Sequence, residues 1–152
     1  KIKVPSMKKF IQQRKMVKED RLPRFKEYLT EELKVSMSQL KQLEKLLDDL
    51  FKSVNVDIEF TKHFFDRIND TRNGEQIRVR EVRDLFRKVY AKFKDEISHL
   101  KPDFEGVLKD LASDVNIPFH ISWNSKENEL ELIGKTVMRK KSFKTSNKSF
   151  NV

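Results

Sequence analysis

"IPFHISWNSKENELELIGKTVMRKK", residues 117–141, decides the fold class. Its first seven residues alternate strictly. Ile117, Phe119, Ile121 and Trp123 fall on one side, and Pro118, His120 and Ser122 on the other. That is the period of a half-buried strand. "NSKEN" (124–128) has the chemistry of a hairpin loop. "ELELIGKTVMRKK" (129–141) then reads as the return strand, with Gly134 marking a bulge or a close approach. A hairpin of this kind needs something to cover its apolar face.

The residues upstream supply helices. Between 24 and 54, Phe25, Leu29, Leu33, Met37, Leu40, Leu43, Leu47, Leu50 and Val54 recur at three- and four-residue steps with no Pro or Gly among them. This predicts a helix of about thirty residues, which either breaks near "KVSMSQ" or projects to meet a partner. "VDIEFT" (56–61) reads as a short strand or extended entry. Thr61 then caps a short helix, "KHFFDRIND", and Arg72-Asn73-Gly74 forms a turn. Residues 79–100 form a second amphipathic helix, with Val82, Leu85, Phe86, Val89, Phe93, Ile97 and Leu100 on one face. "GVLKDLA" (106–112) is open between a third strand and a last short helix. The expected architecture is α+β: long N-terminal helices, then a small antiparallel β-sheet packed on helices. It divides into a helical arm or hairpin (1–54), an α+β domain (55–143) and a basic tail (144–152).

Composition narrows the function classes. The 152 residues carry a net charge of +9, with 38% charged and 37% apolar side chains. Such a balance favours nucleic acid, an anionic surface or an acidic partner. Residues 1–23 hold eight Lys/Arg against Glu19 and Asp20, and the six Lys/Arg from Lys135 onward face no acid at all. There are no cysteines, so disulfides and thiolate metal sites are excluded. Three histidines without H-E-x-x-H spacing argue against zinc. No apolar run reaches the length of a membrane span, and no signal peptide is visible at the start. Acid pairs such as Asp48-Asp49 read as solvated helix surface.

The chemistry concentrates in "FTKHFFDRINDTRNGEQIRVREV", residues 60–82. His63 and Arg67 lie four residues apart, on one face of the short helix. Metal-free RNA cleavage needs a group that takes the 2′-hydroxyl proton and a cation that holds the phosphorane charge. An imidazole and a guanidinium are those types. Arg72 on the following turn offers a second phosphate contact. The competing reading is a polar helix edge on which Asp66 pairs with Arg67. On the return strand, Thr136 and Arg139 face either a phosphate or solvent, and the basic run there also reads as a guarded sheet edge. "GKTVMRKK" lacks the G-x-x-x-x-G-K-[ST] pattern, so it is not a phosphate-binding loop. His120 either reaches a groove beside the His63 helix or is a surface strand residue.

Two resemblances follow. The order "FTKHFFDRINDTRNGEQIRVREVRDLF", "VNIPFHISW", "ELELIGKTVMRKKSF" resembles the small RNase-like fold of the barnase, EndoU, colicin and RelE group over residues 57–143. The resemblance implies that His63, Arg67 and Arg72 act from the helix and Thr136 and Arg139 from the last strand. No Glu or Tyr base is evident on the central strands. At the front, "MKKFIQQRKMVKED" and "PRFKEYLTEELK" resemble the leaders of proteins packed into tailed-phage heads, with Leu29-Thr30-Glu31 matching a prohead-protease phrase.

The expectation is a phage-encoded, nucleic-acid-directed protein acting as a metal-independent ribonuclease with no cofactor and no metal. His63, Arg67, Thr136 and Arg139 are the catalytic candidates. Arg72, Arg78, Arg80, Lys135, Lys140 and Lys141 are the phosphate contacts. The alternative is a non-catalytic head-associated protein. In it, residues 1–54 bind a viral head or scaffold protein, the basic surface binds packaged DNA, and the long helix makes an oligomer. Either belongs in the host cytoplasm or the virion interior, off the membrane.

Overall fold

Ser36 opens the first helix. A computed structural model of the protein describes residues 34–152; the expectations that fall on residues 1–33 (the basic arm, the leader-like phrases and the front of the long helix) lie outside them. Ser36 Oγ accepts from Gln39 N at 3.1 Å, and Gln39 Oε1 accepts from Ser36 N at 2.8 Å. This reciprocal cap satisfies two donors that a helix start leaves without partners. Helix α1 therefore spans Met37–Phe51, and of the two readings left open for residues 24–54 the one without a helix running through "KVSMSQ" holds, because Ser36 is extended at ψ 160°. The break falls inside "KVSMSQ". At the other end a 3-10 turn, Lys52–Val54, and a left-handed Asn55 (φ 62°) close the helix.

Leu40, Leu43, Leu47 and Phe51 are the buried stripe of α1, and they share one core with the sheet. Over this helix the apolar face covers the chain's own interior. Val35–Val152, which includes α1, forms one compact unit.

The remaining elements are β1 (Val56–Phe60), α2 (Lys62–Ile68), a 3-10 turn (Thr71–Asn73), α3 (Val79–Ser98), β2 (Glu105–Asp110), β3 (Val115–Asn124), β4 (Glu129–Gly134), β5 (Met138–Arg139) and β6 (Lys148–Asn151). The open segment 106–112 is thus a strand. The sheet order is β1-β4-β3-β2-β6, with β5 also paired to β3. The expected hairpin is present: β3 pairs antiparallel with β4, and with β2 on its other side. Both edges are added parallel, β1 on β4 and β6 on β2, so the sheet is mixed and the antiparallel-only expectation is corrected. The return strand is also shorter than expected. β4 stops at Gly134, residues 135–137 leave the ladder, and β5 pairs with Val115 and Asn116.

One face of the sheet is apolar. Ile58, Leu132 and Ile121 stand opposite one another across β1, β4 and β3, and all are buried. Val82, Leu85, Phe86, Val89 and Ile97 of α3 are buried as well. Rings join the two layers: Phe86 meets Phe51 and Phe60 edge-on at centroid distances of 6.2 and 5.8 Å. The expected basic tail contributes to this core. Phe150 on β6 is fully buried, edge-on to Phe93 at 5.2 Å.

The β1 edge is closed by side chains of α1. Asp48 Oδ1 accepts from Ile58 N and Glu44 Oε2 accepts from Phe60 N, both at 2.7 Å. Carboxylates one helical turn apart thus occupy the place of a neighbouring strand, which guards the edge. Asp48 is therefore a structural acceptor and not mere solvation. Burial, first of several causes, raises the pKa of both acids.

Candidate active site

Thr61 sets the site. Its side chain caps α2, accepting from Phe64 N at 3.0 Å, and its hydroxyl donates to Lys135 O at 2.9 Å. Its backbone N–H donates to Gly134 O at 3.2 Å. The start of α2 is thereby tied to the point where β4 ends. Gly134 permits the approach, since a Cβ there would lie 3.0 Å from a Phe60 ring carbon. Phe64 and Ile68 turn into the core, which leaves His63 and Arg67 on the outer side of the same short helix.

An open cleft of about 600 Å³ lies between α2 with its turn and the segment 136–140. His63, Arg67 and Arg72 line one wall; Thr136, Arg139 and Lys140 line the other. All four catalytic candidates therefore border one cavity of ligand-binding size. Among the lining residues Arg67, Arg72, Arg139 and Lys140 are basic and Asp70 alone is acidic, so the cavity favours an anion.

The two walls differ in what they leave open. Arg67 donates from Nε to His63 Nε2 at 3.3 Å and from Nη1 to Asp70 Oδ2 at 3.1 Å. Thr136 is half-buried, and its hydroxyl has no hydrogen-bond partner among the described residues. Arg139 is the opposite case. Its five N–H donors make five bonds: Nε to Glu75 O, Nη1 to Glu81 Oε1 and Ser113 O, and Nη2 to Gln76 O and Glu81 Oε2, at 2.9–3.3 Å. Hydrogen bonding to Glu81 raises its pKa still further. No donor of Arg139 is left for a phosphate. The contact expected of it is replaced by a strut that fixes the second wall.

Asn73 forms the floor. It is 8% exposed; its Nδ2 donates to Arg67 O at 2.8 Å and its Oδ1 accepts from Arg139 N at 3.2 Å. One amide thus spans both walls. Asp70, Asn73 and Glu81 were not among the expected site residues. The signal was present in "NDTRNG", where Asx side chains bond the backbone of their own turn. Nothing in it pointed to the distant Arg139.

The other expected phosphate contacts lie outside the cleft lining. Arg78 and Arg80 are exposed at the start of α3, and Lys141 is exposed beyond Lys140. Lys135 pairs with Glu105 at 3.1 Å. His120 lies 3.9 Å from Asp103 and does not line the cleft. An acidic cluster that the sequence did not reveal sits elsewhere on the sheet: Asp57, Glu59 and Glu131 bring one oxygen each within 4.8 Å of one another. Asp57 and Glu131 are direct partners in the β1–β4 register. Among the described residues no helix is long and apolar enough to cross a membrane.

Compared with known proteins, the chain matches no protein-family model, no curated protein and no solved structure.

Proposed function

We propose that the protein is a metal-independent ribonuclease. The observation that carries this reading is the meeting of the His63 imidazole, the Arg67 and Arg72 guanidiniums and a Thr136 hydroxyl that bonds to no described residue around one basic cleft. In such a reaction the 2′-oxygen attacks the neighbouring phosphorus, the bond from phosphorus to the 5′-oxygen breaks, and a 2′,3′-cyclic phosphate forms. His63 Nε2 takes the 2′-hydroxyl proton, and the departing 5′-oxygen takes a proton from water in the open cleft. Arg67 and Arg72 stabilise the charge gathered on the phosphorane, and Thr136 donates to a non-bridging oxygen. Lys140 attracts a flanking phosphate without reading sequence. Arg139 holds the wall and touches nothing that reacts. His63, Arg67, Arg72 and Thr136 are among the residues that the resemblance to the barnase, EndoU, colicin and RelE group implies; it also implies Arg139, which this reading leaves out of the chemistry.

The assembly alternative rested on an apolar stripe free to bind a partner. Of that stripe, Leu40, Leu43 and Leu47 are buried in the chain's own core, whereas Met37 is exposed.

The test is cleavage of end-labelled RNA in EDTA. The wild-type protein is expected to cleave, and His63→Ala to be slower by roughly 10²-fold or more, the usual worth of a general base. A folded wild-type protein that leaves RNA intact overturns the reading.

A further inference from the structure

Two of the arginines that line the cleft, Arg67 and Arg72, already hold an anion, and it belongs to the protein. Asp70 Oδ2 accepts from Arg67 Nη1 at 3.1 Å and from Arg72 Nε and Nη2 at 3.1 and 2.9 Å. Three N–H groups from two guanidiniums converge on one oxygen. Nitrogens at 3.1 and 2.9 Å from a shared oxygen lie at most the sum of those distances, about 6.0 Å, apart. The carboxylate itself is anchored, because Oδ1 accepts from Arg72 N at 2.8 Å as the cap of the Thr71–Asn73 turn. Capping needs only that one oxygen. The second oxygen, pointed at both cations, is surplus to the turn.

On the ribonuclease reading of this cleft, we infer that Asp70 is a positioning residue that stands in for the substrate phosphate. It keeps Arg67 and Arg72 converged on one point and yields them to a phosphodiester oxygen when RNA enters. Two consequences have opposite signs. The carboxylate competes with the incoming phosphate and repels it, which weakens binding. It also orients both cations before the substrate arrives, which speeds the chemical step. A residue that served the fold alone would, on removal, weaken both.

Asp70→Asn keeps an oxygen for the cap and removes the charge. The binding probe is a fluorescent RNA with 2′-O-methyl groups throughout, which cannot be cleaved, titrated over a salt series. Turnover is measured beside it on the matching unmodified RNA. The variant is expected to bind the probe about three- to tenfold more tightly at low salt. The slope of log affinity against log salt should steepen by about 0.7, the single-strand increment for one more cation available to phosphate. On the unmodified RNA, kcat should fall about tenfold as the guanidiniums lose their fixed geometry. Asp70→Ser, which also retains a capping oxygen, should move all three quantities the same way and decides the matter if the Asn variant does not fold. Weaker binding, an unchanged slope or an unchanged kcat in a folded variant overturns the inference. If the wild-type protein binds the probe but cleaves nothing, the ribonuclease reading falls, while affinity and slope still decide the role of Asp70. Absence of binding by the wild-type protein overturns both.

Discussion

Arg67 donates from Nε to His63 Nε2 at 3.3 Å, so the side chains assigned as cation and base are bonded to each other in the free protein. The Nε2 lone pair that accepts this bond is the one a general base would use. An entering phosphate would draw the guanidinium away and free the nitrogen that has to work. Lysine has the charge but not the planar fork that can serve His63 and Asp70 together. In Arg67→Lys, affinity for RNA should stay within about threefold, while kcat falls roughly 10- to 100-fold. Separate measurement of Kd on 2′-O-methyl RNA and of kcat checks this; equal losses in both would contradict it.

Thr136 offers a clean separation of stability from activity. Because its hydroxyl bonds to no described residue, Thr136→Val should change the unfolding free energy by less than about 0.5 kcal/mol. Cleavage should drop about tenfold or more if the hydroxyl donates to the phosphorane, and Thr136→Ser should recover most of it. Urea melts beside single-turnover cleavage distinguish the outcomes.

Arg139 should behave the other way round. Arg139→Gln breaks a part-buried, two-pronged pair with Glu81 and leaves three carbonyls with fewer partners. A stability loss of about 2–4 kcal/mol is expected, read from the denaturant midpoint. Adding Glu81→Gln should cost much less than a second independent loss, because the orphaned carboxylate is then removed as well. Full additivity in that cycle would rule out the strut.

The acidic cluster sets a pH dependence. Burial, then hydrogen bonds with Glu59 and Asp48, push the Asp57 carboxyl up to about 8, from an ordinary 3.8. A carboxyl raised in the folded state favours folding fully below its unfolded value, and that contribution is lost as pH rises through the folded one. Stability should therefore decline between about pH 4 and pH 9 on this account. Asp57→Asn should stabilise by on the order of 1–2 kcal/mol near pH 9, after allowing for solvent screening, and by little near pH 4. Thermal melts across that range test it, and equal effects at both ends would refute the assignment.

What the sequence disclosed was local. Alternation over 117–123 found β3, the three- and four-residue stripes found α1 and α3, and Thr61 announced its helix. His63 with Arg67 was legible because a single helical turn sets their geometry. What stayed hidden depends on distant pairing. β6 lies in a polar tail whose Phe150 is the one large apolar side chain of the strand, and its parallel ladder on β2 has no local signature. The partners of Arg139 come from three separate stretches, near 75, 81 and 113. Asn73 reads as turn chemistry, which it is, but its Oδ1 also reaches Arg139 N on the other wall; the second oxygen of Asp70 gathers Arg67 and Arg72 on its own wall, which the turn reading gave no hint of. The acidic cluster arises only when the β1–β4 register sets Asp57 beside Glu131.

The parallel pairing of β1 with β4 has a dynamic consequence. Phe60 and Gly134 are register partners at the last rung, and each wall of the cleft leaves the sheet from one of them. The first wall is thus moored to the edge strand β1 and the second to its neighbour β4, and among the described residues the outer amides of β1 at Ile58 and Phe60 are held by Asp48 and Glu44. Edge strands open locally before a core unfolds. The amide of Thr61, bonded to Gly134 O, is the latch between those walls, so its hydrogen-exchange rate reports how often the cleft comes apart while Phe119 and Phe150 remain packed.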